Sequence, residues 1–327
     1  MEGMDCVWST YKKSLDEVEG QILKGLDSKI DLVNDIATYI LNSGGKRIRP
    51  LFLMISSELA GSSEDKEQLL VGAGLIEYIH TATLLHDDVL DNAEVRRGNA
   101  TARVKWGNQP SILVGDYLYT LAVCQAVTME NHEINLVLSK TCRSMTEGET
   151  LQFYHSKDFN LSEETYFKIV EYKTASLISA SCRIGTIIAK GSEETKEALS
   201  SYGRHIGIAF QVADDTLDYI ADGKRLGKSL GEDLSGGKIT LPLIHLLQHC
   251  KEEEKKELEH LIGEATIQKE ELKYVTDLMR HYGSIDYSIN KAKDFVNLAK
   301  EALSSFKDST HRQSLVTMAD YVIERDH

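Results

Sequence analysis

The chain has 327 residues, 42% of them hydrophobic, and a formal charge of −14. That balance suits a folded protein with a sizeable core and excludes a general nucleic-acid binder, which needs a broad basic face. Five scattered cysteines without a CxxC pair argue against a disulfide framework, and only three prolines leave room for long unbroken helices.

The opening segment, MEGMDCVWSTYKKSLDEVEG, lacks the basic-then-apolar profile of a secretory leader. No apolar run approaches the roughly 18 to 20 residues that span a bilayer, so a cytoplasmic protein without a transmembrane segment is the expectation. In SKIDLVNDIATYILNSGG, the residues Ile30, Val33, Ile36, Ala37, Ile40 and Leu41 trace one helical stripe. Ser28 with Asp31 resembles a capping box there, and Gly44 and Gly45 supply the stop. The same period predicts helices over about 67–91, 111–129, 134–153, 163–189, 194–220 and 241–250, and through most of the C-terminal third. Alternating strand patterns are almost absent. Several middle segments (LIEYIHTATLL, SLISASCRIGTIIA, IGIAFQVA) are apolar nearly all round and belong at the centre. No proline- or glycine-rich linker divides the chain. The prediction is an all-α protein with a single domain over residues 1–327.

Two acidic clusters stand out. LLHDDVLDNAEVRRG carries Asp87, Asp88 and Asp91, and FQVADDTLDYIADG carries Asp214, Asp215 and Asp218. Both read Asp-Asp-x-x-Asp at the C-terminal end of an apolar helix. Positions i and i+4 share a helix face about one turn, ~5.4 Å, apart. Asp87 with Asp91, and Asp214 with Asp218, can therefore chelate. Asp88 and Asp215 point elsewhere, to orient the chelating carboxylates or hold water. Carboxylates that face one another resist ionisation unless cations intervene. Hard oxygen donors with retained water suit Mg²⁺, which joins a few carboxylates to substrate phosphates. One such motif reads equally well as a solvated helix end; two copies argue for a metal site.

A bound diphosphate would need further cations. GGKRIRP supplies Lys46, Arg47 and Arg49 at a helix start, where backbone N–H groups favour anions. Arg96 and Arg97 follow the first cluster, and adjacent helical side chains diverge by ~100°, enough to serve two anions. EYKTASL adds Lys173 and Thr174, and GKSLGEDLSGGKITLP adds Lys228 and Lys238. Taken singly, these read as surface lysines and arginines, and His80 as a core histidine. Their weight comes from accompanying both acidic clusters.

These blocks, in this order from about residue 44 to residue 242, resemble the trans-isoprenyl diphosphate synthase family. The resemblance implies a single large helical bundle around a central cavity. It implies a homodimeric prenyltransferase that elongates an allylic diphosphate with isopentenyl diphosphate, using Mg²⁺. Asp87, Asp91, Asp214 and Asp218 would bind the metal. Arg96, Lys173, Thr174, Gln211, Lys228 and Lys238 would hold the allylic diphosphate, with Asp87, Asp91, Arg96, Lys173, Asp214 and Lys228 as the catalytic set. Gly45, Lys46, Arg49, His80 and Arg97 would hold isopentenyl diphosphate.

Chain length has its own signal. Thr83 and Ala82 lie four and five residues before Asp87, with Ile79 a turn further down. The family closes its tunnel with bulky aromatics there, so small residues imply a long, octaprenyl-type and membrane-directed product. Phe153 and Tyr154 are candidates for a more distant wall. A geranylgeranyl- or farnesyl-type product is the alternative. A terpene cyclase would mix asparagine, serine or threonine and glutamate in its second motif. A di-iron bundle would need two ExxH motifs, matched here by Glu77-x-x-His80 and, in a solvated helix, Glu257-x-x-His260. A non-catalytic synthase-like subunit would be expected to lose aspartates or arginines that this chain keeps.

Overall fold

The computed structural model describes residues 3–62, 65–220, 231–263 and 268–324. Among the described residues it is all-α, as the periodicity predicts, apart from one ribbon of two two-residue strands. The helices are α1 (Met4–Gly25), α2 (Asp31–Asn42), α3 (Ile48–Ala60) and α4 (Lys66–Leu90). The ribbon β1 (Val95–Arg96) and β2 (Asn99–Ala100) follows, then α5 (Ala102–Trp106), α6 (Asn108–Thr128) and α7 (His132–Tyr154). Next come α8 (Glu163–Val170), a π-helical turn (Glu171–Ala175), α9 (Ser176–Ile188) and α10 (Glu193–Ile220). The remainder comprises Glu232–Ser235, Leu241–His249, Glu252–Gly263, Lys269–His281, Ser284–Ala302 and Thr310–Glu324.

The chain forms two compact units interleaved along the sequence. One contains Met1–Cys142, Leu177–Gly203 and Ala302–Met318; the other contains Arg143–Ser176, Arg204–Glu301 and Ala319–His327.

In the first unit α4 is the core helix, packed by α1, α3 and α6. Asp65 caps its start by accepting from the Gln68 amide at 3.0 Å, which satisfies one of the orphan donors of a helix end. Leu75, Ile76, Tyr78, Ile79, Ala82 and Leu85 are fully buried, and each large side chain among them contributes about 1.5–3 kcal/mol of hydrophobic stabilisation. Close approach is also built in: a Cβ on Gly185 of α9 would lie 2.0 Å from the Leu53 carbonyl oxygen of α3. By length and composition α4 and α6 could each cross a bilayer, although α4 is mostly buried within the unit. Neither helix is an uninterrupted apolar run, because polar residues, Glu77 in α4 and Asp116 in α6 among them, break the stripe.

In the second unit Ser162 caps α8 by accepting from the Thr165 amide at 3.1 Å. The predicted helix over 163–189 is interrupted by the π turn. Glycines clasp that turn from two sides. A Cβ on Gly148 of α7 would sit 2.7 Å from the Lys173 nitrogen, and one on Gly207 of α10 would sit 2.6 Å from Ala175 Cα. Tyr166, Val170, Ile208, Val212 and Tyr219 then join Leu241, Ile244, Val275 and Met279 in one core.

The capping box expected at Ser28 does not form. Ile30 is the N-cap of α2 without a side-chain cap, and Ser28, two residues too early, accepts from the Ile30 amide instead.

Candidate functional site

The first acidic cluster occupies the last turn of α4 and its cap. Asp87 is half-buried and Asp91 exposed, while Asp88 between them is fully buried. Asp88 Oδ1 accepts from Arg96 Nε at 2.7 Å. The middle acid therefore anchors an arginine rather than a neighbouring carboxylate.

Arg96 and Arg97 are not helical. Arg96 pairs with Asn99 across the ribbon, and Arg97 and Gly98 between them both have positive φ, 51° and 75°. That is the signature of a tight type I′ hairpin turn. The two arginines part company because one sits on the strand and the other in the turn, not because of a helical step. Arg96 meets Asp88, and Arg97 reaches the loop before α3, where a Cβ on Gly45 would lie 2.8 Å from Arg97 Nη1.

The same loop is fastened by Arg47. Its Nη1 meets Glu77 Oε1 at 2.7 Å and its Nη2 donates to the Leu41 carbonyl at 2.6 Å. Glu77 is thereby committed to an arginine, which removes it as a di-iron ligand. Arg49 Nη1 donates to His80 Nε2 at 3.2 Å, which requires that ring nitrogen to be an acceptor. Burial, then Arg49, Arg97, Arg96 and Arg47, hold the His80 imidazole well below its ordinary value. Gly45, Arg49, His80 and Arg97 are thus gathered in one electropositive spot, with Lys46 exposed on the adjoining loop. Burial also lowers the Arg97 guanidinium. Such a collection of cations suits a multiply charged anion.

The second cluster lies near the end of α10. Asp215 is buried, and both its oxygens accept: Oδ2 from the Tyr166 hydroxyl at 2.6 Å and Oδ1 from Gln211 Nε2 at 2.7 Å. Gln211 Oε1 in turn accepts from Thr174 Oγ1 at 2.8 Å. Asp218 Oδ2 accepts from the Asp233 amide at 3.1 Å. Burial, and next the Asp233 carboxylate, push Asp215 and Asp218 up to about 7. Asp214 is half-buried on the same helix.

Two of the basic residues expected at the site, Lys173 and Lys238, face acids. Lys173 Nζ lies 2.5 Å from Glu149 Oε2 and donates to Gln152 Oε1 at 2.7 Å. Lys238 Nζ lies 3.7 Å from Asp233 Oδ1. Lys228 lies outside the described residues. The sequence does not single out Tyr166, Glu149, Gln152 or Asp233 as site residues. Tyr166 reads as an ordinary core aromatic, and Asp233 lies among the mixed charges of GKSLGEDLSGGKITLP.

Ala82 and Ile79 are fully buried beneath the first cluster; Thr83 is half-buried and donates to the His80 carbonyl at 2.8 Å. Phe153 and Tyr154 are 80% and 78% exposed at the end of α7, so neither is packed as a wall. Among the described residues no three His, Cys, Asp or Glu side chains converge as a preformed metal cage. The donor set is one of paired carboxylates. That fits Mg²⁺, which keeps several waters and takes one or two carboxylates together with substrate phosphates.

An all-helical chain with two such acid-tipped helices and separate basic sets is built for diphosphate chemistry, and comparison with known proteins agrees. The family model for polyprenyl synthetase matches residues 30–279. Octaprenyl diphosphate synthase of Escherichia coli (strain K12) is 37% identical over 309 residues, 94% of this chain and 95% of that protein. Geranylgeranyl diphosphate synthase of Methanosarcina mazei is 36% identical over 294 residues, 88% of each. A crystal structure of polyprenyl synthase from Caulobacter crescentus CB15, complexed with calcium and isoprenyl diphosphate, superimposes with a TM-score of 0.94. It is 34% identical and covers 100% of this chain and 99% of that one. The chain belongs to the polyprenyl synthetase family and is a prenyltransferase.

Proposed function

We propose that this enzyme condenses an allylic diphosphate with isopentenyl diphosphate, with Mg²⁺ as cofactor, to make a long-chain polyprenyl diphosphate. One observation carries the reading. In each Asp-Asp-x-x-Asp the middle acid is locked onto a side chain, Arg96 or Tyr166, while the outer pair shares another helix face.

Asp87, Asp91, Asp214 and Asp218 would hold Mg²⁺, which supplies charge stabilisation for a departing diphosphate. Arg96, Lys173, Lys228 and Lys238 hold that diphosphate from the protein side, with Thr174 and Gln211 beside it. Gly45, Lys46, Arg49, His80 and Arg97 hold isopentenyl diphosphate. The allylic C–O bond breaks, the isopentenyl double bond attacks the allylic cation, and a proton leaves to the released diphosphate. We read residues 1–327 as one prenyltransferase domain.

A long product follows from the small and aliphatic residues Ala82, Thr83 and Ile79 below Asp87. A geranylgeranyl-type product is the second reading, favoured by the near-equal identity to synthases of both kinds. A homodimer is supported by α6, which leaves Leu113 and Val127 65% and 60% exposed beside Ile112 and Val123. We place the enzyme in the cytoplasm with a membrane-directed product.

Incubation with Mg²⁺, labelled isopentenyl diphosphate and a series of allylic primers, followed by product sizing, tests the whole reading. Chains of six or more isoprene units are expected. Asp87→Ala and Asp214→Ala should each lose at least about a hundredfold in turnover, the loss seen when a key charge-stabilising group is removed, with unchanged helicity. Near-normal rates in both variants would refute the metal assignment.

A further inference from the structure

We propose that Tyr166 is a positioning residue for the second acidic cluster, acting through Asp215. The inference rests on the reading that Asp214 and Asp218 hold metal.

Four side chains form one directed run. Tyr166 donates to Asp215 Oδ2 at 2.6 Å, Gln211 donates to Asp215 Oδ1 at 2.7 Å, and Thr174 donates to Gln211 Oε1 at 2.8 Å. A carboxylate as buried as Asp215 is costly unless donors meet it. With both oxygens accepting, the Gln211 amide must turn its NH₂ toward Asp215 and its oxygen toward Thr174. Each partner fixes the next.

The run joins two stretches of backbone. Tyr166 belongs to α8 and Thr174 to the π turn, beside Lys173, whereas Gln211 and Asp215 are successive turns of α10. Asp214 and Asp218 flank Asp215 on that helix. Pinning Asp215 at both oxygens therefore sets the rotation of α10 about its own axis, and with it the direction of the two flanking carboxylates. The same pins set them relative to Lys173. A tyrosine that merely filled space would be replaceable by phenylalanine, because the ring already packs edge-on against Phe167 at 5.4 Å. Only the hydroxyl reaches Asp215.

Tyr166→Phe is the direct test, read by Mn²⁺ binding in the presence of inorganic diphosphate and by steady-state kinetics. Mn²⁺ binding should weaken fivefold or more, and the Mg²⁺ concentration for half-maximal rate should rise by a similar factor. KM for the allylic diphosphate should rise, while KM for isopentenyl diphosphate stays within twofold. A role confined to folding would lower the melting temperature and leave both metal readouts unmoved, which would overturn the proposal. Should Tyr166→Phe fail to fold, Asp215→Asn carries the same test: weakened Mn²⁺ binding supports it and wild-type binding overturns it. Asp214→Ala separates the two claims. If it keeps wild-type Mn²⁺ binding, the metal reading itself fails. If it loses binding while Tyr166→Phe does not, only the role of Tyr166 fails.

Discussion

Gly45 stands where the Arg97 guanidinium leaves room for a hydrogen and nothing larger: a Cβ there would lie 2.8 Å from Nη1. The obstructing atom is the far end of a flexible side chain, so Gly45→Ala would displace the arginine rather than unfold the loop. Stability should change by no more than about 0.5 kcal/mol, as for a typical surface substitution. KM for isopentenyl diphosphate should rise about tenfold, equivalent to ~1.4 kcal/mol of lost binding. Steady-state kinetics checks this; an unchanged KM would detach Arg97 from that substrate.

Arg47 and Arg49 are two residues apart yet predict opposite phenotypes. Arg47 is buried against Glu77, and breaking a buried pair from one side strands the other charge at a cost of about 3–5 kcal/mol. Arg47→Ala should therefore appear in denaturant melts. Arg49 donates to the neutral His80 imidazole, so Arg49→Ala strands no acid there; it should destabilise less than Arg47→Ala and fail in isopentenyl diphosphate binding. Equal destabilisation of the two variants would contradict this division.

His80 makes stability depend on pH. Its folded-state value is depressed, so below about 6.5 the unfolded chain binds a proton that the folded chain refuses. Stability contributed by the neutral ring is fully present above pH 6.5 and falls as pH drops toward the depressed folded value. The slope is at most about 1.4 kcal/mol per pH unit for one proton. Melting the wild type and His80→Asn between pH 8 and pH 5, values chosen to bracket the histidine range, should show the steeper acid loss in the wild type. Parallel curves would remove His80 as the cause.

Ala82→Phe should shorten the product by narrowing the space below Asp87. Because Ala82 is fully buried, overpacking will cost about 1–3 kcal/mol, and the assay belongs well below the melting temperature. Sizing of extracted products decides; an unaltered length distribution would put the floor elsewhere.

Much of this molecule can be read from its residues, and the failures share a cause. The ends of α4 and α10 fall within a residue of expectation, because a long apolar stripe and a run of acids are both local signals. The π turn at Lys173 and Thr174 is invisible in the stripe, since one extra residue barely alters the period. What holds the turn is Gly148 and Gly207, far away in sequence. The ribbon at Arg96 escaped notice because its turn places an arginine, not a glycine or asparagine, at the first positive φ. The partners of Asp88 and Asp215 are likewise tertiary. Adjacent letters in DDxxD say that the middle acid faces away, but not that Arg96 or Tyr166 waits there.

The hairpin carries a consequence for any effort to remodel the enzyme. Its two guanidinium groups are sorted by position alone, one on a rung and one at the tip, so the ribbon works as a short indexing device. Adding a single amino acid before the tip would advance the register by one place, leave Asp88 facing the wrong neighbour and swing the other cation away from Gly45. Loop grafting here should therefore preserve spacing before it preserves side-chain identity.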